Sequence, residues 1–270
     1  MDYTTLQVSL EAAVATVVLS RPDKANAMEA AMWQELRAAM RWADETDEVR
    51  AVVLRGAGRH FTAGIDLAML AGIEREIEGI CPARSREKLR RIILDLQDCL
   101  SSIERCRKPV LAAIHGACVG GGVDLAVACD MRYCSAEARF SVKEIDIGMT
   151  ADVGTLQRLP RLVGEGMARE LAYTGRDVTG GDAQAMRLVN RCFDTAEALF
   201  AGVRDIAMVI AAKSPLAVRG TKEMITYARD HSIADGLNYA ATWNAAMLLS
   251  EDMAEAARAA REGRPPRFAD

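Results

Sequence analysis

The segment KPVLAAIHGACVGGGVDLAVACD, Lys108 to Asp130, constrains the fold most. KPVLAAIHG reads as a buried strand with Pro109 at its start. Three consecutive glycines, Gly120 to Gly122, then lead into an apolar helical run with Asp124 in its first turn. Glycine gives up side-chain contacts and costs conformational entropy, so three together suit a place where something must come close to the backbone. A helix that starts there presents unpaired N–H groups and a partial positive charge. The order strand, glycine turn, buried helix points to an α/β chain.

A second stretch, FTAGIDL, repeats the arrangement, with Asp66 placed as a helix cap. Two amides aimed at one point, from Ile65 and Gly121, would form an oxyanion hole. Close-packed turns explain the glycines too, and spacing alone does not choose. Gly116 and Gly120–Gly122 miss the GxGxxG spacing of a dinucleotide site, no GK[ST] follows, and no GxSxG elbow occurs.

The remaining pattern is mixed. LQVSL and VATVVLS, separated by EAA, read as a hairpin. AMEAAMWQELRAAMRWADE is an amphipathic helix with Met28, Met32, Leu36 and Met40 as core filler. VRAVVLRGAG is a strand, residues 73–84 a loop, EKLRRIILDLQDCLSSIERC a long helix, and MRYCS and ARFSVKE short strands. After Thr150 helices dominate, and Ser214-Pro215 is a helix start. The shift near residue 198 divides the chain into an α/β core, 1–197, and a helical part, 198–270.

Composition narrows the function. The net charge of -4 argues against a general nucleic-acid binder. Seven dispersed cysteines without a CxxC pair read as free thiols of a reducing compartment. His60, His115 and His231 lie far apart in no HExxH pattern, so a metal site is not expected. The N-terminal residues carry neither a secretory nor a transit pattern, and no run nears the ~18 apolar residues of a membrane span. The cytoplasm is the expected location.

LSRPDKANAM, FTAGIDL, KPVLAAIHGACVGGGVDLAVACD, FSVKEIDIGMTADVGTLQRLPRLVG and ELAYTGRDVTGGDAQAMRLV together resemble the crotonase (enoyl-CoA hydratase/isomerase) superfamily over almost the whole chain. The resemblance implies a spiral of ββα units, with the helical C-terminal region used to assemble a homotrimer or a dimer of trimers. It implies an acyl-CoA thioester substrate whose oxygen is held by Ile65 and Gly121, and no cofactor, coenzyme A being part of the substrate. Ala63, Gly64, Ile65, Asp66 and Leu67, with Gly121, should line the thioester and pantetheine. Arg21 and Lys24 are candidates for the CoA phosphates, although solvated charges explain them as well. Arg187 departs from the family, which usually has glycine before LV.

The acids decide the reaction. Asp124 and Glu144 match the paired glutamates of the family's hydratases, whereas Asp152 stands where hydratases have a small residue. GGGVD, VKE and ADVGTLQRLP, with AGIDL and ARDHSIADGLNYAATWN, are similar to Δ3,5-Δ2,4-dienoyl-CoA isomerases of unsaturated fatty-acid breakdown. That likeness implies Asp152 as base at C2, Glu144 as acid at C6, and Asp124 as a third acid tuning the pair. A 2-enoyl-CoA hydratase using Asp124 and Glu144 is the alternative, and a non-catalytic acyl-CoA binder on the same fold a further one. His115 reads as a packed histidine, and Cys118, Cys129 and Cys134 as small core residues.

Overall fold

The computed structural model describes residues 3–79 and 81–270. The hairpin forms as expected: β1 (Leu6–Glu11) pairs antiparallel with β2 (Val14–Leu19), turning through Ala12 and Ala13, both at positive φ. Helix α1 (Ala30–Glu45) buries Met32, Leu36 and Met40. Met28 is fully buried but precedes the helix, bridged instead to Ile65. Strand β3 (Ala51–Gly56) follows. The loop expected over 73–84 is a correction: α2 (Leu67–Ile77) and α3 (Pro82–Arg105) occupy most of it, because Leu70, Ile73 and Ile77 fall on one helical face, and residue 80 lies outside the described residues.

Strand β4 (Val110–Ile114) leads through a short β5 (Ala117–Val119) to α4 (Gly121–Ala128), all of whose residues are buried. Then come β6 (Met131–Ser135), β7 (Arg139–Ser141), a 3-10 turn (Glu144–Ile147), α5 (Thr155–Val163), α6 (Glu165–Thr174), β8 (Val178–Thr179), α7 (Gly180–Ala185) and β9 (Arg191–Phe193). The main sheet runs β1-β2-β3-β4-β6-β9, parallel after the first pair, and a small sheet runs β5-β7-β8. Arg187 sits at φ 66 in the turn before β9, a left-handed position that glycine fills without strain.

Period-2 alternation gives the main sheet two apolar faces. Val52, Leu54, Val110, Ala112 and Ile114 join the core built with α1, α3 and α4, while Ala51, Val53, Leu111, Ala113 and Tyr133 join a second core. The second core is closed by Leu199, Val203, Ala207 and Ala211 of α8 (Ala196–Ala211). The division at 197/198 is therefore corrected. It falls in the first turn of α8, and that helix is needed to bury one sheet face, so the helical part begins after Ala212.

That part comprises α9 (Pro215–Tyr227), capped by Ser214 Oγ accepting from Ala217 N at 3.1 Å, α10 (Ile233–Met247) and α11 (Glu251–Glu262). None of the α10 side chains is buried, and Ile233 and Leu249 are 84% and 87% exposed. The tail returns to the core. Arg50 donates to the Phe268 carbonyl, and Asp270 meets Arg219 at 2.5 Å and Lys108 at 3.7 Å. Lys108 is 1% exposed and its Nζ has no hydrogen-bond partner among the described residues, so Asp270 is the charge that compensates it. Asp270→Asn is expected to cost about 3 kcal/mol in denaturant unfolding, the scale for a buried charge left without its partner.

Candidate active site

Two loops are held side by side by main-chain bonds. Thr62 N donates to Ala117 O at 3.0 Å, Val119 N to Thr62 O at 3.2 Å, Met28 N to Gly64 O at 2.8 Å and Asp66 N to Met28 O at 3.0 Å. Segment 62–66 thus runs between Met28 and β5, which brings Ile65 beside Gly121. A methyl group added at Gly121 would stand 3.5 Å from Ile65 N. Both amides are without an acceptor among the described residues, and both residues line one cavity.

The glycine at 64 is required by this approach. It sits at φ +86, and a side chain there would come within 2.4 Å of Val119 O and 3.0 Å of Gly121 N. Gly64→Ala should therefore push the loops apart and lower kcat/KM by ~10²–10³-fold, the scale for losing one oxyanion donor. A steady-state assay beside a circular-dichroism spectrum of the folded variant would read this.

Asn26 organises the same region and carried no sequence signal beyond its place in the DKANAM motif. It is fully buried at φ 54. Its Nδ2 donates to Ala57 O and His60 O at 2.9 and 2.7 Å, its Oδ1 accepts from Arg21 N at 2.9 Å, and its main-chain carbonyl accepts from Thr62 Oγ1 at 2.7 Å. Thr62 Oγ1 in turn accepts from Gly64 N at 3.0 Å. A buried asparagine that satisfies this many partners is a scaffold for the loop.

The cavity beside the amides has a volume of 520 Å³, in the range of small-molecule sites. Its wall is largely apolar: Trp33 from α1, Leu70, Ile73 and Ile77 from α2, and Leu89, Ile93 and Leu96 from α3. Into this wall project two carboxyl-bearing residues, Glu144 and Asp152. Glu144 opens the 3-10 turn, and its Oε1 would lie 3.4 Å from a methyl group at Gly120, so the glycine makes room for the carboxyl. Asp152 lies in the loop before α5, its carbonyl fixed by Gln97 Nε2 at 2.6 Å.

Asp124 stands behind this wall rather than in it. It is 0% exposed, and its Oδ1 accepts from Thr155 N, the first amide of α5, at 2.5 Å. Asp124 Oδ2 and Glu144 Oε2 are both buried without a donor among the described residues, and the two carboxyls are within reach of one shared proton. Two acceptors cannot face each other fully ionised, so one of the pair carries a proton. Burial, then the Asp124 charge, pushes Glu144 up to about 7. Burial also raises Asp124 and Asp152 above the ordinary carboxylate value, although the Thr155 donors pull Asp124 the other way.

The other candidates separate. Asp66 caps α2, accepting from Ala68 N at 2.9 Å, and pairs with Arg21 at 2.9 Å, which holds its carboxyl below its usual value. Ala63 and Leu67 are exposed beside the cavity mouth residue Ile65. Arg21 is corrected as a phosphate candidate: its guanidinium is taken by Asp66, by Glu29 at 3.3 Å and by the Ala27 carbonyl, which makes it a clamp between the two chain segments. Lys24 is exposed on a 3-10 turn. His115 is packed, its Nε2 2.9 Å from Gly58 O and its ring edge-on to Phe200, and Cys118, Cys129 and Cys134 are buried.

Paired free amides beside an apolar cavity carrying two carboxyls of raised pKa suit enolate chemistry on a carbonyl compound. The chain belongs to the enoyl-CoA hydratase/isomerase family, whose model matches residues 9–270. The crystal structure of an enoyl-CoA hydratase from Bacillus anthracis superposes with a TM-score of 0.89 at 30% identity, covering 98% of this chain and 99% of that one. More similar in sequence is the peroxisomal Δ3,5-Δ2,4-dienoyl-CoA isomerase of Arabidopsis thaliana, 46% identical over 272 residues, 99% of this chain and 98% of that protein. The mitochondrial Δ3,5-Δ2,4-dienoyl-CoA isomerase of Homo sapiens is 44% identical over 265 residues, 97% of this chain and 81% of that protein.

Proposed function

We propose that this chain converts a 3,5-dienoyl-CoA to the 2,4-dienoyl-CoA by a carboxylate-mediated 1,5 proton shift. The observation that carries the reading is the pair Glu144 and Asp152 on one apolar cavity with the free amides of Ile65 and Gly121. The thioester oxygen accepts from both amides, and charge developing on it as C2 loses a proton is stabilised there. Asp152, as carboxylate, takes the C2 proton. The resulting dienolate spreads its charge along the conjugated chain to C6. Glu144, held protonated near neutral pH by burial and by Asp124, delivers a proton to C6. Asp124 acts through Glu144 and does not touch the acyl chain. No water is consumed, and coenzyme A enters as part of the substrate.

A hydratase would use Asp124 and Glu144 to hold a water between them. Asp124 lies behind the cavity wall with one oxygen committed to Thr155 N, which supports the isomerase instead. The higher identity to proteins named isomerases than to the hydratase structure supports the same reading. The test compares two substrates with one purified protein. A 3,5-dienoyl-CoA should develop the ultraviolet band of a diene conjugated with the thioester, and crotonyl-CoA should lose its absorbance far more slowly. Faster water addition to crotonyl-CoA would overturn the reading.

Exposed Ile225, Ile233, Leu237, Leu248 and Leu249 on and after α9 and α10 support assembly of this region into a trimer or a dimer of trimers. No helix among the described residues is long and apolar enough to cross a membrane. The seven cysteines are free thiols, which supports a reducing compartment such as the cytoplasm, whereas the two named relatives are peroxisomal and mitochondrial.

A further inference from the structure

Asp152 and Val153 line two cavities at once. On one side is the apolar acyl cavity, and on the other a polar cavity, also of 520 Å³. Gln97, Ser101, Glu104, Arg158 and Arg229 form much of the polar wall. Glu104 pairs with both arginines, and Arg158 Nη2 also reaches Ser101 Oγ at 3.2 Å. Arg158 Nε is buried with no acceptor among the described residues, a donor that a water molecule in the cavity would satisfy. A polar space this large has room for several waters at about 30 Å³ each. Glu144 has no such outlet: its buried oxygen faces Asp124, and neither residue lines the polar cavity.

We propose that the polar cavity is the proton exit of Asp152, so that the hydrogen taken from C2 reaches solvent while the acyl chain still fills the apolar cavity. The proposal rests on the isomerase reading. The C2–H bond breaks, its electron pair enters the dienolate, and the proton forms an O–H bond on Asp152. That proton passes to water in the polar cavity and leaves Asp152 ionised. Glu144 gives its proton to C6 and regains one through the emptied acyl cavity, so each turnover releases one proton and takes up one. The two carboxyls therefore exchange with different surroundings, and the hydrogen that arrives at C6 is not the one that left C2.

The test isolates the C2 half of the reaction. Glu144→Gln blocks delivery to C6, so a bound dienolate can only be reprotonated at C2. Incubated in D₂O with 3,5-octadienoyl-CoA, this variant should wash one deuterium into C2 of the recovered substrate, read by mass spectrometry. A dienolate never leaves the site, so the deuterium has to enter while the acyl cavity is occupied. Adding Ser101→Phe, which fills the polar cavity, should abolish the wash-in. Gln157→Phe, at an exposed position on the same wall, should reduce it and decides the matter if the first substitution disturbs folding. Wash-in unchanged in both plugged variants, or absent in Glu144→Gln while wild type isomerises, overturns the proposal. If wild type forms no 2,4-diene at all, the isomerase reading itself has failed.

Discussion

Asparagine in place of Asp152 is expected to lower the isomerisation rate by ~10²–10⁴-fold while leaving the fold intact. The side chain keeps its shape, and only the ability to accept the C2 proton is lost. Among the described residues the Asp152 carboxyl takes a hydrogen bond only from its own amide, an acceptor role that asparagine keeps, and its main-chain anchor to Gln97 uses the carbonyl, which the substitution does not touch. The thermal midpoint should therefore move little. Substrate affinity should also hold, because the Ile65 and Gly121 amides that grip the thioester lie on other loops. A variant with near wild-type turnover would remove Asp152 from the chemistry.

Glu144→Gln is expected to produce a loss of the same order, ~10²–10⁴-fold, with a different signature. Glu144 must carry a proton when the dienolate forms, and burial beside Asp124 pushes it up to about 7. Wild-type activity should thus fall as pH rises through about 7, and fall again in acid where Asp152 becomes protonated, above its ordinary carboxylate value. The glutamine variant should lose the alkaline limb. Wild-type stability should fall over the same rise in pH. A carboxyl whose folded pKa is raised contributes stability that is full below its unfolded value of 4.5 and is lost as pH rises toward 7. Above neutrality Glu144→Gln should consequently be more stable than wild type, measured by denaturant unfolding at pH 6 and pH 8. A variant less stable at pH 8 would mean that Glu144 is not held protonated by its surroundings.

These two outcomes separate the site from its scaffold. Asp270 and Lys108 hold the tail on the core, and Asn26 and Thr62 hold the loop that carries Ile65. Changing them acts on folding or geometry, whereas changing Asp152 or Glu144 acts on proton transfer. The free energy lost at the acids is recovered, on this account, in rate, as is common where buried carboxyls serve chemistry.

Much was legible in the amino-acid order because it depends on neighbours along the chain. The Ala12–Ala13 hairpin, the apolar stripe of α1, the serine cap of α9, the Asp66 cap and the glycine turn before α4 are local events. Each follows from hydrophobic period, capping chemistry or the freedom of glycine within a few residues. The motifs around Ile65, Gly121, Glu144 and Asp152 identified the family for the same reason: they are contiguous strings. Tertiary structure alone decided where those strings meet. Residues 73–77 became helix because their apolar face closes a cavity against α3, and α8 joined the core because one sheet face needed cover. Arg21 turned from a phosphate candidate into a clamp once Asp66, 45 positions away, came within 2.9 Å. Asp124 went behind the wall, Glu144 into it, and Asp152 between two cavities, none of which is written in any spacing. Burial and the approach of distant charges set those protonation states, and both exist only after the chain has folded.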